Sequence, residues 1–324
     1  MIRKNNPTIP HDKLRLHSSE RTISWGENVF NQFISSIQDT DIRYYPNLNE
    51  LRDRLKEFYN ISPTSDLMLG AGSDRCNKYF FEMFKGRHIV LSEPCFGMYD
   101  VYADMMDMES TKIPYLWGKF NVNGILNNLK DNSVIVISNP SSPIGDVIHR
   151  SDLIRILNRG LPTLIDEAYI EFSDEVSIVE LIDEYDNLYV TRTLSKAFGS
   201  AGVRVGVIIS NENNITHMTK YRDMYEISGL SLRWTETMLN NTESIHSYIQ
   251  DVRNTKSRLV SKLLENGYDV VDSQSNWIHI RRADMVDLPN DIVFRTNCKV
   301  PPHDGVDWIR LQVSDNINDY KFLF

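Results

Sequence analysis

The most reactive candidate in the sequence is Lys196, which follows a short apolar run in TRTLSKAFGSAGVRVG, residues 191–206. A lysine in a loop is usually a solvated charge. Here its neighbours are small and apolar, and Arg204 lies further along the same segment. A lysine in a partly apolar pocket near another cation loses its proton more readily and can act as a nucleophile. The segment therefore predicts a lysine that forms a Schiff base with an aldehyde.

A second candidate is Asp166, in LIDEAYIEF, residues 164–172. A carboxylate that directly follows a buried apolar run is costly to bury unless it is paired. It could cap a helix or meet an arginine. It could also pair with a protonated pyridine nitrogen, which would turn the ring into an electron sink. The residues alone leave these alternatives open.

The segment GAGSDR, residues 70–75, places two glycines before Ser73 and Asp74 at the start of an amphipathic stretch. Free backbone N–H groups at a helix N-terminus form an anion site. Serine and aspartate are also among the commonest N-cap residues. By itself, the segment favours a plain helix cap over a phosphate site.

Short apolar runs alternate with amphipathic stretches through the first two thirds of the chain. Runs of β-branched residues between turn signals are typical of strands buried on both faces. Their alternation with helices predicts an α/β fold, with a mostly parallel sheet flanked by helices. Ligands then bind beyond the carboxyl ends of the strands, where the candidate residues lie. Strands are expected at residues 88–91, 134–138, 161–165, 188–191 and 203–209. Helices are expected at residues 74–84, 96–106, 150–157 and 178–185.

The pattern changes after about residue 212. Long helices are expected at residues 214–227 and 233–264, and three strands follow at residues 268–271, 277–280 and 308–313. This part is typical of a smaller α+β unit. The predicted organisation is an N-terminal arm at 1–30, a large cofactor-binding domain at 31–230 and a small C-terminal domain at 231–324.

Composition narrows the class of protein. The 324 residues carry a formal net charge of −9, which argues against a general nucleic-acid binder. Cys76, Cys95 and Cys298 have neither metal-type spacing nor an even number for pairing, so we expect no metal site and no disulfide framework. The N-terminus lacks a signal-peptide core, and no apolar run is long enough for a membrane span. A cytoplasmic protein is therefore expected.

Three segments, SNPSSPIGD, LIDEAYIEF and TLSKAFGSAGVRVG, occur in this order and at a spacing that resembles a known family. The family is the pyridoxal-phosphate aminotransferases of fold type I, and among them the segments resemble the histidinol-phosphate aminotransferase group. YYPNLNELRDRL and SEPCFGMY also resemble that group. The resemblance covers most of residues 40–315. It implies a large α/β domain with a smaller α+β domain, and pyridoxal 5'-phosphate as cofactor.

The resemblance also implies roles for individual residues. Lys196 would form the Schiff base and shuttle the proton, Asp166 would hold the pyridine nitrogen, and Tyr169 would donate to the ring oxygen. Phe96 would stack on the ring, since an aromatic face is flat and apolar. Tyr45 would reach the phosphate of a neighbouring subunit, which implies a homodimer with a shared active site. The remaining cofactor contacts would come from Ser73, Asp74, Asn139, Ser142, Ser195 and Arg204.

On the substrate side, Arg310 resembles the arginine that binds the substrate carboxylate, and Asn276 resembles a position that orients it. Arg295 would be a second anion clamp. The chain departs from the family at Ser142, where the family usually has asparagine, and this loss could raise the pKa of the Schiff base. In residues 16–25 it also lacks a clear Asn-Glu-Asn-Pro pattern. The departure in residues 16–25 affects the substrate more than the cofactor.

The function expected first is an aminotransferase that acts on an amino acid or a phosphorylated amine with an oxo acceptor. The alternative is a decarboxylase of an O-phospho amino acid, which would use the same cofactor residues. A requirement for an oxo acid separates the two activities. A third possibility is a protein that binds the cofactor without turnover, and the joint presence of Lys196, Asp166, Tyr169 and Arg204 weighs against it.

Overall fold

The structure, a computed structural model, describes residues 13–281, 292–298 and 308–323. Residues 1–12 of the predicted arm lie outside the described residues. So do residues 282–291, 299–307 and 324 of the predicted small domain. Among the described residues, no helix combines the length and apolar character needed to cross a bilayer.

A seven-stranded sheet forms the centre of the molecule, in the order β2-β8-β7-β6-β5-β3-β4. Strand β8 runs antiparallel to both of its neighbours, and the other pairings are parallel. The predicted mostly parallel sheet is thereby confirmed. The strands are β2 (Ser65–Ala71), β3 (His88–Glu93), β4 (Ser110–Pro114), β5 (Ser133–Ser138), β6 (Thr163–Asp166), β7 (Leu188–Thr193) and β8 (Val205–Asn211).

The central strands are buried because each face of the sheet packs on its own apolar cluster. In β5, Val134 and Val136 belong to one cluster, whereas Ile135 and Ile137 belong to the other. Side chains alternate between the faces of a strand, so a continuous apolar run fills both clusters. The helices of the described residues are α1 (Glu27–Ser36), α2 (Thr40–Arg43), α3 (Asn49–Phe58), α4 (Ser73–Met83), α5 (Met98–Met105), α6 (Val122–Asn127), α7 (Arg150–Leu157), α8 (Glu212–Met218), α9 (Gly229–Leu239) and α10 (Thr242–Glu265). Helices α3, α4, α6 and α8 pack on the central sheet, whereas α10 packs on the second sheet described below.

A second, five-stranded sheet has the order β1-β11-β12-β10-β9. Its first strand comes from the predicted arm and pairs in parallel with β11. The arm therefore contributes a strand to the sheet of the C-terminal part, while the proposed domain limits themselves stay a prediction. The strands are β1 (Leu14–Leu16), β9 (Val270–Val271), β10 (Trp277–Arg281), β11 (Ile292–Cys298) and β12 (Trp308–Gln312).

Two expected helices differ in the structure. The helix expected at 233–264 is divided between α9 and α10, because Asn240 ends the first and Asn241 precedes the second. Asparagine competes for backbone hydrogen bonds and favours helix ends over helix interiors. The helix expected at 178–185 is only a 3₁₀ helix, Val179–Asp183, and the helix expected at 214–227 ends as α8 at Met218.

Candidate active site

A cavity of about 400 Å³ opens at the carboxyl ends of the parallel strands. Ser138 ends β5 and Asp166 ends β6, and both line the cavity. This is the edge of an open α/β sheet where ligands bind. Nine of the residues predicted to serve the site line this one cavity: Ser73, Asp74, Phe96, Ser142, Asp166, Tyr169, Ser195, Lys196 and Arg204.

The carboxylate of Asp166 is buried, with 4% of the residue exposed. Its Oδ2 accepts hydrogen bonds from Asn77 Nδ2 at 2.7 Å and from the Tyr99 hydroxyl at 2.8 Å. Its Oδ1 accepts from the Ala168 backbone N–H at 3.1 Å. Burial raises the pKa of Asp166, and these hydrogen bonds oppose the rise. The three groups that donate to this carboxylate here are neutral, so none of them balances its negative charge. The site therefore suits a cationic partner.

Lys196 lies on the loop after β7, with its Nζ 5.6 Å from the centre of the Tyr169 ring. Its Nζ donates to the backbone carbonyl of Ser18 at 2.6 Å, so the arm reaches the lysine. Burial by itself would raise the pKa of Tyr169, but the charges of Lys196 and Arg310 outweigh it and the pKa is lowered. A phenol with a lowered pKa, beside an amine, can share a proton with a ligand held between them.

The N-terminus of α4 and the loop before β8 form a cradle for an anion. Arg204 Nη1 lies 3.3 Å from the Ser195 hydroxyl, and Arg204 Nη2 donates to the Ala71 carbonyl at 3.1 Å. Gly72 has a φ of +81°, and a Cβ there would come within 2.3 Å of Arg204 Nη2. Glycine is therefore required where the loop turns into the helix, and the arginine fork lies against the helix terminus.

Two residues predicted to bind the cofactor are not among the described residues that line the cavity. The amide of Asn139 is engaged with the backbone of Ile148, accepting from its N–H at 2.9 Å and donating to its carbonyl at 3.3 Å. Tyr45 is 72% exposed and stacks on Tyr225, with ring centroids 3.6 Å apart. Their predicted roles stay predictions.

The predicted substrate residues lie together on the small sheet. Arg310 on β12 is directly opposite Arg295 on β11, so their side chains are on the same face. The Arg310 guanidinium lies 4.7 Å from the Trp277 ring centroid, and Trp277 meets Tyr169 edge-on at 4.6 Å. Arg310 Nη2 also donates to the His17 carbonyl at 3.1 Å. One aromatic side chain thus separates Arg310, the predicted substrate arginine, from Tyr169.

Asn276 immediately precedes β10 and is 1% exposed. Within the described part of the chain, neither polar atom of its amide has a hydrogen-bond partner. A buried amide without a partner is costly, because it has given up its hydrogen bonds to water. This observation fits a group that completes its hydrogen bonds with a ligand.

Sequence reasoning missed several site residues. The arm residues Ser18 and Glu20 line the cavity, as do Ser138 and Thr193 at the ends of β5 and β7. The two strand-end residues lie where the rule that ligands bind beyond strand ends places a site, but they were not among the predicted site residues. No local pattern marks Ser18 and Glu20, because a pairing of β1 with a strand nearly 280 residues later places them there.

The residues present fit pyridoxal 5'-phosphate. The cavity has a buried carboxylate for a protonated ring nitrogen, a lysine for the aldehyde and a phenol for the ring oxygen. Phe96 lines it and offers an aromatic face. The cradle of Arg204, Ser195 and the α4 terminus fits a phosphate, since paired arginine donors and helix N–H groups both favour such anions.

Comparisons with known proteins agree with this fit. The family model described as aminotransferase class I and II matches residues 12–319. The chain is 32% identical over 323 residues to a histidinol-phosphate aminotransferase from Brachyspira hyodysenteriae, covering 96% of this chain and 88% of that protein.

Two solved structures share the fold. One is a histidinol-phosphate aminotransferase from Sinorhizobium meliloti in complex with pyridoxal-5'-phosphate, with TM-score 0.84, 19% identity, and coverage of 95% and 88% of the two chains. The other is an L-threonine-O-3-phosphate decarboxylase from Porphyromonas gingivalis, with TM-score 0.79, 17% identity, and coverage of 96% and 97%. The motifs, the cavity and the family match together show that the chain belongs to the class I and II aminotransferases of fold type I and is a pyridoxal-phosphate-dependent transaminase.

Proposed function

We propose that the chain transaminates a phosphorylated amine of the histidinol-phosphate type, with an oxo acid as acceptor. The observation that carries the proposal is the pair Arg310 and Arg295, opposite each other in register on one face of the small sheet. Burial lowers the pKa of His17 on the arm. The charge of Glu20 opposes this effect, and the charges of Arg15, Arg310 and Arg295 add to it. Two arginines on one face of a sheet favour a dianion such as a phosphate.

The protein residues would divide the chemistry among them. The bound cofactor supplies an aldehyde and a protonated ring that withdraws electrons from the substrate Cα. Lys196 Nζ would take the proton from that carbon and deliver it to the carbon that carried the aldehyde oxygen of the cofactor, and Asp166 would hold the proton of the ring nitrogen. The Tyr169 hydroxyl donates to the ring oxygen. Ser142 can donate to it as well, but its side chain is shorter than the asparagine that the family usually has at this position. Arg310 and Arg295 orient the anionic end of each substrate.

The test is turnover of histidinol phosphate with 2-oxoglutarate, followed as glutamate formation. Arg295→Leu is expected to raise KM for histidinol phosphate by about 10-fold, the effect of one lost charge-assisted hydrogen bond, while KM for unphosphorylated histidinol changes little. Arg281→Leu is the matched control, because Arg281 is on the same sheet but pairs with Asp269 at 2.9 Å. Equal effects of Arg295→Leu on both substrates would argue against a phosphate site.

The decarboxylase is the second candidate, since the Porphyromonas gingivalis enzyme shares the fold. Release of CO₂ from O-phosphothreonine without any oxo acid would favour it over the transaminase. If a Lys196-dependent absorbance band forms with the cofactor but neither reaction occurs, the chain binds the cofactor without turnover.

We further propose a homodimer in which Tyr45 reaches the partner's cofactor phosphate. The Tyr45 side chain is 72% exposed, and Ile42, which precedes it by three residues, is 71% exposed. Exposed apolar side chains that lie together commonly mark an interface. Here the exposed group comprises Ile42, Tyr44 and Tyr45, with Tyr225, which stacks on Tyr45, and its chain neighbour Met224.

Cys76 and Cys95 are free thiols, which suits a reducing compartment such as the cytoplasm.

A further inference from the structure

Two side chains from outside β6 hold the carboxylate of Asp166. Asn77 comes from the middle of α4, and Tyr99 comes from the first turn of α5. Both donate to the same oxygen, Oδ2, at 2.7 and 2.8 Å. Both residues are fully buried, so water does not compete for these bonds. The direction of the carboxylate is thus set by two rigid elements as well as by its own strand.

Thr191 on β7 fixes the orientation of the Asn77 amide. The Thr191 hydroxyl donates to Asn77 Oδ1 at 2.9 Å. Because that bond occupies the amide oxygen, the amide nitrogen faces Asp166 as a donor. A hydrogen-bonded series therefore runs from Thr191 through Asn77 to the carboxylate, and all of its members are buried.

Tyr99 is kept as a donor by its surroundings. Burial raises the pKa of Tyr99 well above its usual value, and the charge of Asp166 raises it further. The ring is also held on two sides, stacked with Phe81 at 6.0 Å and meeting Phe96 edge-on at 5.5 Å. Tyr99 therefore contacts both Asp166 and the aromatic residue expected to cover the cofactor ring.

We propose that Asn77 and Tyr99 are positioning residues that keep the Asp166 carboxylate ionised and aimed at the ring nitrogen of the cofactor. An anion that accepts two buried hydrogen bonds is stabilised in its charged form. An ionised carboxylate in turn favours the protonated state of the ring nitrogen, and this state withdraws electrons most strongly. The inference rests on the cofactor and not on the substrate proposed above.

The test compares two ligands of the apoprotein: pyridoxal 5'-phosphate, and an analogue in which C–H replaces the ring nitrogen. Asn77→Leu and Tyr99→Phe are each expected to weaken binding of pyridoxal 5'-phosphate by about 10-fold, as for a lost hydrogen bond to a charged group. Binding of the analogue should stay within about 2-fold of wild type, since a C–H group gains little from an ionised carboxylate. With ¹⁵N-labelled cofactor, the ring nitrogen signal should move toward its unprotonated position in both variants.

Tyr79→Phe is the matched control. Tyr79 is a buried tyrosine on the same helix as Asn77, and its hydroxyl lies 3.5 Å from Asp223 instead of near Asp166. It should leave both affinities and the nitrogen signal unchanged. Thr191→Val is a milder variant, because it keeps both donors to Asp166. It should weaken binding of pyridoxal 5'-phosphate and move the ring nitrogen signal in the same direction as Asn77→Leu, but by a smaller amount.

Two outcomes would overturn the proposal. An equal loss of affinity for both ligands would mean that Asn77 and Tyr99 only maintain the shape of the site. An unchanged ring nitrogen signal in Asn77→Leu and Tyr99→Phe would mean that they do not act through Asp166. If Asn77→Leu fails to fold, Tyr99→Phe and Thr191→Val decide between these results. Failure of the wild-type apoprotein to bind pyridoxal 5'-phosphate would instead contradict the cofactor assignment.

Discussion

At the residue scale, one face of the small sheet carries polar groups that are buried without being apolar. His279 pairs in register with Arg310, and both have 3% or less of their surface exposed. The opposite face of β10 and β12 carries Ile278, Ile280 and Ile309, which belong to the main core. Because side chains alternate along a strand, one face of the small sheet is apolar and packs in the core, and the other face is polar. The free-energy cost of burying this polar face depends on pH.

Burial lowers the pKa of His279 to about 3, and the charges of Arg310 and Arg295 add to the effect, whereas the nearby backbone of Pro143 opposes it. In the unfolded chain the pKa would be 6.5. Between these values the unfolded chain binds a proton that the folded chain does not, so stability falls as pH decreases below about 6.5. This group should contribute a loss of about 1.4 kcal/mol per pH unit.

His279→Leu should remove that contribution. Urea unfolding at pH 7.5 and pH 5.5 is expected to show a smaller loss of unfolding free energy for the variant than for wild type, by about 1 kcal/mol. Equal losses of unfolding free energy in the two proteins would mean that His279 also binds a proton in the folded state in this pH range.

At the element scale, turns and caps show where local chemistry agrees with the fold and where it does not. The pair Asn240 and Asn241 separates two helices that apolar periodicity alone would join.

The tight turn from Leu116 to Lys119 is closed by two backbone hydrogen bonds of 2.9 Å. Trp117 and Gly118 in its centre both have positive φ, at 53° and 80°. Asparagine and glycine suit such a turn, whereas tryptophan is strained in it.

Trp117→Asn is therefore expected to raise the free energy of unfolding by about 1 kcal/mol. The Trp117 side chain is 87% exposed, so the substitution removes little packing. The measurement is urea unfolding, with Trp117→Phe as a control that keeps the strain and should leave stability unchanged. A loss of stability in Trp117→Asn would show that the indole makes a contact worth more than the strain.

At the scale of the whole molecule, the arm connects the two sheets through the site. Strand β1 lies in the small sheet, and the next residues give carbonyls to Arg310 and Lys196. Further on, the Trp25 indole donates to the carbonyl of Gly199 in the lysine loop at 3.2 Å. The small sheet and the lysine loop are thus coupled through a single short segment.

The proposed dimer makes a prediction at this scale. Ile42→Arg should convert the protein to a monomer in sedimentation velocity and weaken cofactor binding, since a charge replaces an apolar group at the interface. Val176→Arg is the matched control, because Val176 is equally exposed, at 71%, but is not part of the group around Tyr45. A monomeric wild-type protein with full cofactor affinity would contradict the proposal.

Much of the fold and part of the site could be predicted from local pattern. Strands β3, β5, β6, β7 and β8 follow apolar runs, whereas β4 has the largely polar sequence STKIP and was not predicted. Helix α7 follows amphipathic periodicity to the residue. Asp166 stands directly after such a run, and Lys196 lies in the loop that follows β7, so the strand ends carry both residues to one edge of the sheet. The 3₁₀ helix at Val179–Asp183 could not be separated from an α-helix, because both use the same short amphipathic spacing.

The sequence by itself determined the class of fold, and it predicted the cofactor-binding segments and the reactive residues, because each of these patterns lies within a short stretch of the chain. Only the tertiary structure decided which side chains support them. Asn77 and Asp166 are 89 residues apart, and Thr191 lies 114 residues from Asn77. Such contacts arise from strand order and helix packing, which local periodicity does not encode. The same reason brings the arm to Lys196 and engages the Asn139 amide with the backbone of Ile148.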